Sequence, residues 1–553
     1  MKKLYSIIIS MSVVMLNARD QTTFEKVQRA NRRVNSKNIR AAASLESASW
    51  PLLTQLTNGD EQRYADKRAS YAKALKIQDN GLVDVGAFNQ MVFALSTNNQ
   101  NAFNAIPMGT SPVQRRLVDP QAAFAFNLDG FDGWIPTMLP APTLASAQTA
   151  GEMVEVYWHA LLRDVFFNAY PTNGLAAMAI NDLNSLSDFR GPKVNGKVTT
   201  QTLFRGNTPG DLIGPLVSQF LYLSVPYGPV NNFAFDSLGT PGINFQAQTV
   251  PDPGVMNDFG TKFDDWLAIQ RGENSTATIT FGAKREFIRN ARDMGDYVHQ
   301  DTPEQPYENA ALILLNFGVD ALDQGNPYIN NPTQESFVTY NVPDILYLIS
   351  ITAETALRAA WYQKWLIHRR LRPEYFAFLV NQQITNVQNF GLNAEVINSA
   401  AVTNIFATFG SYFLPLAYPE GSPTHPSYPA GHAAVAGACA TILKAFFNED
   451  FAIPAPVRPN ASNDLLEPYV GTPLTVGNEL NKLAANICLG RDYAGVHYRS
   501  DGIEGMNLGE QVAIAILQNE AFLRNVPFGG FSLTKFDGTR VTVGAKRTIS
   551  LLG

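Results

Sequence analysis

A chain of 553 residues, 45% of them hydrophobic, can bury a large core as one big domain or as two or three ordinary ones, so size sets no limit on its stability. A net charge of −6 with only 16% charged residues argues against nucleic acid or an anionic membrane as the main partner. Two cysteines, Cys439 and Cys488, exclude a disulfide framework and a cysteine-rich metal site, and leave open whether the two pair or stay free as buried thiols usually do.

At the start, Met1 to Leu16 carries two lysines and then a mostly apolar run, LYSIIISMSVVML, followed by Asn-Ala-Arg. This reads as a secretory signal over residues 1–18, cleaved after Ala18, although three serines dilute the run; it predicts a secreted or periplasmic protein, the alternative being a cytoplasmic one. The run is too short to span a bilayer, and no later stretch reaches the roughly 20 apolar residues a spanning helix needs. Arg19 to Arg40 is basic and polar, an arm or short surface helix suited to a subunit contact. Beyond Ser49, helical stretches alternate with connections rich in Pro, Gly and Asn, with no internal repeat, which predicts one large helical domain over 19–553. Ser146 to Tyr170 reads as a long core helix, with Val154, Trp158, Leu161 and Val165 at helical spacing. Phe287 to Tyr297, Glu308 to Ala321 and Pro343 to Leu371 read the same way. Strand signals are few: Ala277 to Phe281, and Phe531 to Val543, where Asp537-Gly538 between alternating runs predicts a hairpin. The fold class expected is all-α with small β-hairpins.

Three clusters carry chemistry, all between about 340 and 520. Lys364 to Arg372, KWLIHRRLR, closes the helix that Pro373 stops, so Lys364 and Arg372 are expected on one side of its C-terminal half, facing one anion. A solvated basic face is the alternative, weakened by Trp361 and Trp365. Next comes GSPTHPSYPAGH, Gly421 to His432, a rigid loop running into the apolar segment Ala433 to Phe447. Pro429 fits a first helical position, Gly431 lets a ligand approach free N–H groups, and His432 can touch what binds. The bland reading is a loop before a core helix. The third, GRDYAGVHYRSD, puts Arg491 before His497 and Asp501 four residues after it, so that Asp501 can hold one imidazole nitrogen while the other points into a pocket.

Taken in order, Lys364, Arg372-Pro373, Pro429 to His432, Arg491, His497 and Asp501 resemble the signature shared by vanadium-dependent haloperoxidases and related acid phosphatases. The chain is most similar to the algal and cyanobacterial bromoperoxidases: seven residues separate Lys364 from Arg372, where the phosphatases usually have six, and His425 falls where chloride-oxidising members carry phenylalanine. The segments NGLVDV at Asn80 and YWHALLRDV at Tyr157 extend the likeness over most of the chain. The resemblance implies vanadium haloperoxidase-like helical bundles, two of four helices each, and one vanadate per subunit. Lys364, Arg372, Arg491 and the Gly431 N–H would hold the vanadate oxygens, and His497 the metal, oriented by Asp501. It further implies His432 and His425 as proton carriers, Lys364 polarising the peroxide, and Trp361 lining the halide or substrate entrance. The activity expected is oxidation of bromide and iodide by hydrogen peroxide to hypohalous acid, which halogenates small organic acceptors, in a homo-oligomer, dimer or dodecamer. Calcium occurs in some relatives; Asp320, Asp323 and Gln324 are the candidates, without a strong ligand spacing. One departure stands out: Ala430 replaces the usual serine of the family. The competing readings are an acid phosphatase with His497 as nucleophile, and a helical assembly protein with no need to converge such cations.

Overall fold

The structure is a computed structural model that describes residues 23–49, 51, 53–127, 131–226, 245–248, 258–273, 279–524 and 526–544. Helices dominate, and strands among the described residues form only three two-stranded antiparallel ladders. The chain divides into two units, Met1–Pro51 with Leu128–Gly130, and Leu52–Asn127 with Phe131–Gly553. In the first, α1 (Thr23–Ser49) is one long, largely exposed helix, free of Gly and Pro, covering part of the expected arm. The signal segment lies outside the described residues.

Within the second unit the expected long helix is shorter. Ser146 caps α2 (Ala147–Leu161) by accepting from the Thr149 N–H at 3.1 Å. It ends at Leu161, because the next residues spend their polar groups elsewhere. The Arg292 N–H donates to the Arg163 carbonyl and the Phe167 N–H to that of Arg289. The buried Arg163 guanidinium donates to the carbonyls of Tyr493 and Pro415, both at 2.9 Å, and pairs with Asp258. The helix expected from Phe287 is α3 (Ala291–Tyr297), starting at the Asn290 cap, because Phe281–Glu286 is a strand paired with Phe245–Gln248. Of the strand expected over Ala277 to Phe281, the first two residues lie outside the described ones.

The helix expected to run from Pro343 to Leu371 is also corrected. Regular helix α4 (Val342–Tyr362) passes into a π-helical turn, Gln363–His368, and Arg369 at φ 39° ends it. Arg372 is extended, at ψ 156°, as the residue before proline must be, and Pro373 opens α5 (Pro373–Ile384). Lys364 therefore sits in the π-helical turn and Arg372 beyond the helix end, not together on one helix face.

Three further helices complete a four-helix bundle with α4: α6 (Gly431–Phe446), α7 (Val476–Tyr493) and α8 (Arg499–Leu523), with α6 packed on the other three. Pro429 precedes α6 by two positions, so Ala430 and not Pro429 is its entry residue, a correction to the expected helix start. The α6–α8 crossing is close because both faces are small: a Cβ on Gly437 would lie 2.1 Å from the Met506 carbonyl oxygen, and one on Gly509 2.0 Å from that of Ala434. A second group of helices, Gly174–Ser185, Ala394–Ile397 and Ala400–Phe409, packs around α2. The C-terminal hairpin forms as expected, Phe531–Thr534 against Arg540–Val543, with Gly538 at φ 84° in the turn. Cys439 and Cys488 are buried and free. No described helix is long and apolar enough to cross a membrane.

Candidate functional site

All three clusters gather at one end of the bundle. Lys364 lies in the π-turn that ends α4, Gly431 and His432 open α6, and Arg491 is in the last turn of α7. His497 lies in the connection to α8, and Asp501 in the first turn of α8. The Ala430 N–H donates to the Asp501 carbonyl at 2.9 Å, tying the two helix starts together. Gly431 is the first helical residue, so its N–H has no acceptor within the helix. A Cβ there would come within 3.1 Å of the Trp361 ring, so glycine keeps backbone and indole close.

Lys364, Arg372 and Arg491 are at most 3% exposed, and none of them pairs with a carboxylate among the described residues. Their partners are neutral. The Lys364 ammonium donates to the carbonyls of Pro426 (2.7 Å) and Ser427 (2.9 Å). Arg372 donates to the carbonyls of His425 (3.0 Å) and Val496 (2.7 Å), to His497 Nε2 (2.9 Å) and to His425 Nδ1 (3.0 Å). Arg491 donates to the Val298 carbonyl and reaches the Tyr418 hydroxyl at 3.5 Å, while its buried Nε has no partner. Burial, and after it the Arg372 charge, holds the Lys364 ammonium well below its usual range; burial brings Arg372 down to about 10. Three buried cations at close quarters, one with an orphaned N–H, are costly unless an anion sits among them. The donor set fits a tetrahedral oxyanion such as vanadate.

Asp501 Oδ2 accepts from His497 Nδ1 at 2.9 Å, which leaves Nε2 as the lone-pair nitrogen facing Arg372. Burial first, then Arg372 and Lys364, keeps His497 well below the usual imidazole range, so the ring is neutral, as a metal ligand must be. His425 is neutral for the same reasons, burial and then Lys364 and Arg372. His425 Nδ1 lies within hydrogen-bond distance of both Arg372 Nη2 (3.0 Å) and the Pro426 carbonyl (3.1 Å). Among the described residues no hydrogen bond joins His425 to His432. His425 lies against Trp361 instead, ring centroids 4.9 Å apart. The Trp361 indole donates to the Val118 carbonyl at 3.2 Å, and the Lys364 ammonium is 6.0 Å from its ring.

His432 pairs with Asp301, Nε2 to Oδ1 at 2.8 Å, a partner that sequence reasoning missed because nothing near position 301 marks it. Burial pushes the Asp301 carboxyl up, but His432, with Arg491 behind it, holds it below the usual range. Desolvation and then Arg491 lower His432, against the pull of Asp301 upward. Removing that pull has a definite sign. If neutral His432 must accept a proton during turnover, Asp301→Asn lowers its pKa further, and the acidic limb of a bromide-oxidation pH profile should move to lower pH; a limb moved to higher pH would contradict the pairing. The other two arginines of the basic run are paired with carboxylates: Arg369 binds Glu61, and Arg370 binds Asp501 and Glu152. Ser427 is a further residue missed, its hydroxyl donating to Asp501 Oδ2. At the calcium candidates, Asp323 Oδ1 accepts from the Gly325 N–H at 2.8 Å. Among the described residues no three His, Cys, Asp or Glu side chains cluster to hold a metal.

Fold and site together define a helical bundle with a buried oxyanion cradle and a neutral imidazole aimed into it. Known proteins share the fold. The family model for the VCPO second helical-bundle domain matches residues 344–525. The vanadium-dependent bromoperoxidase of Ascophyllum nodosum is 36% identical, over 87% of this chain and 86% of its own length. That of Corallina officinalis is 32% identical over 92% and 98%. A solved homohexameric structure of the second vanadate-dependent bromoperoxidase of Ascophyllum nodosum superposes with a TM-score of 0.85 at 28% identity, covering 97% of this chain and 93% of that one. The chain belongs to the vanadium-dependent bromoperoxidase family.

Proposed function

We propose that this protein oxidises bromide and iodide with hydrogen peroxide, giving hypohalous acid that halogenates small organic acceptors, with one vanadate per subunit. The observation that carries this reading is the trio of buried cations without carboxylates, set against His497 Nε2. Bound vanadate supplies a Lewis acid that activates peroxide without changing its own oxidation state. Lys364, Arg372, Arg491 and the Gly431 N–H would hold its oxygens, and His497 Nε2 would be the protein ligand to the metal. Lys364 would supply a hydrogen bond where negative charge develops on the oxidant. With its Nε2–H given to Asp301, His432 is left with Nδ1 as the basic atom that takes and returns a proton. His425 lies beside Trp361, and its imidazole in place of phenylalanine favours bromide and iodide over chloride.

Given vanadate and peroxide, the protein should brominate a phenolic dye and leave phosphoesters intact. Phosphoester hydrolysis without bromination would instead make it a phosphatase using His497 as nucleophile. His425→Ala should lower bromide turnover about 10²-fold, the scale of a lost proton carrier, while weakening vanadate binding less than tenfold; loss of vanadate equal to that of His497→Ala would contradict the assignment. Ala430, the α6 entry residue, offers no side-chain cap. Ala430→Ser should tighten vanadate by about 1.5–3 kcal/mol if its hydroxyl reaches an anionic oxygen, read by equilibrium dialysis; unchanged affinity would mean the hydroxyl points elsewhere.

A homo-oligomer is part of the proposal, supported by the homohexameric relative; whether the assembly is a dimer, hexamer or dodecamer is a matter for light scattering. Export to the periplasm or medium is likewise proposed, on the sequence of the first 18 residues alone.

A further inference from the structure

Behind the site, Asp501 is itself held by a chain of buried groups. Its Oδ2 takes His497 Nδ1–H, the Ser427 hydroxyl and the Tyr498 N–H (3.2 Å). Its Oδ1 takes one donor, Arg370 Nη1, at 2.8 Å. The same Nη1 reaches the Ser500 hydroxyl at 2.9 Å, and Nη2 reaches Glu152 at 3.1 Å; the Ser500 hydroxyl in turn donates to Glu152 at 2.8 Å. The Arg370 guanidinium lies 4.0 Å from the centre of the Tyr498 ring. Arg370, Glu152, Ser500 and Asp501 are all at most 6% exposed. Glu152 comes from α2, one turn before Glu155, which grips Arg499 through two bonds of 2.5 and 2.8 Å. Helix α2 thus fastens the whole first turn of α8 from outside the bundle.

We propose that Arg370, anchored by Glu152, is a positioning residue that fixes the orientation of Asp501 and thereby the tautomer of His497. Arginine can only donate, so Oδ1 must accept; the Ser427 hydroxyl and Tyr498 N–H do the same at Oδ2. Surrounded by donors, the carboxylate has one role left toward His497, to accept from Nδ1–H. The lone pair is then forced onto Nε2, the nitrogen inside the cradle. Without Arg370, Oδ1 loses its partner and the carboxylate is free to turn, so that the Arg372 N–H at Nε2 is all that still favours the Nδ1–H tautomer. Arg370 touches neither the anion nor a substrate, and its effect passes wholly through Asp501.

The inference rests on His497 being the metal ligand, so two readouts are paired. Solid-state spectra of the 15N-histidine-labelled apo-protein, with His497 identified by its loss in His497→Gln, report the tautomer without any vanadate. Equilibrium dialysis reports the vanadate dissociation constant. In the wild type His497 should be wholly Nδ1-protonated; Arg370→Met should show both tautomers and bind vanadate at least tenfold more weakly, with Arg370→Lys in between. A folded Arg370→Met with an unchanged tautomer and an affinity within twofold of wild type would overturn the proposal. If Arg370→Met does not fold, Glu152→Gln decides: it keeps the shape and removes the charge behind Arg370. About threefold weaker binding with some tautomer mixing is expected there, and no change in either would overturn the proposal. Should the wild type bind no vanadate at all, the functional reading fails, while the tautomer comparison still tests the role of Arg370.

Discussion

His497→Ala should yield a folded protein that retains no vanadate through dialysis and brominates dye only at background rate. The substitution removes the one side chain proposed to bond the metal, while Lys364, Arg372 and Arg491 remain. Those three can still attract a free anion, but attraction alone lets it exchange with solvent. The fold should survive, because Asp501 keeps three of its donors, Arg370, Ser427 and the Tyr498 N–H. Losing the His497 bond to a buried carboxylate should cost about 1.5–3 kcal/mol, a few degrees in melting temperature and far from unfolding. Vanadate retained tightly by this variant would show that His497 is not the ligand.

Lys364→Met should divide activity from stability. Lys364 is fully buried at 0% exposure, and the charged form is disfavoured by burial and by Arg372 beside it. Its amine is proposed to strengthen its hydrogen bond as negative charge develops on the oxidant, and removing such a donor typically costs 10²–10³-fold in turnover. Bromide turnover should fall by roughly that factor, with vanadate bound about 1.5–3 kcal/mol more weakly. In the vanadate-free protein the same substitution removes an uncompensated buried cation. Two carbonyls lose a donor in exchange, so the melting temperature should be no lower than that of the wild type. A clear loss of apo stability with turnover preserved would make Lys364 a structural residue.

How much of this was legible in the sequence follows from which contacts are local. The relation of His497 to Asp501 spans four residues across a helix start, and the Asp537-Gly538 hairpin spans a turn; both follow from spacing and turn chemistry. The anion cradle was legible as a set of cations near helix ends. What sequence reasoning could not supply were partners brought in from far along the chain: Asp301 for His432, and Glu152 for Arg370. The early end of α2 has the same origin, since Arg163 leaves the helix to bond Tyr493 and Pro415. The turn from Lys364 to Arg372 was misjudged because helical periodicity assumes regular winding, whereas the chain widens into a π-turn at Gln363 and ends it with left-handed Arg369. Lys364 and Arg372 still contribute to one site, by a different backbone path.

The most direct measurement of the central claim is X-ray absorption at the vanadium edge of the vanadate-loaded wild-type protein. A single nitrogen among the oxygen neighbours, with the multiple-scattering pattern of an imidazole that disappears in His497→Ala, is the predicted result. A shell of oxygens alone, matching free vanadate in solution, would contradict it.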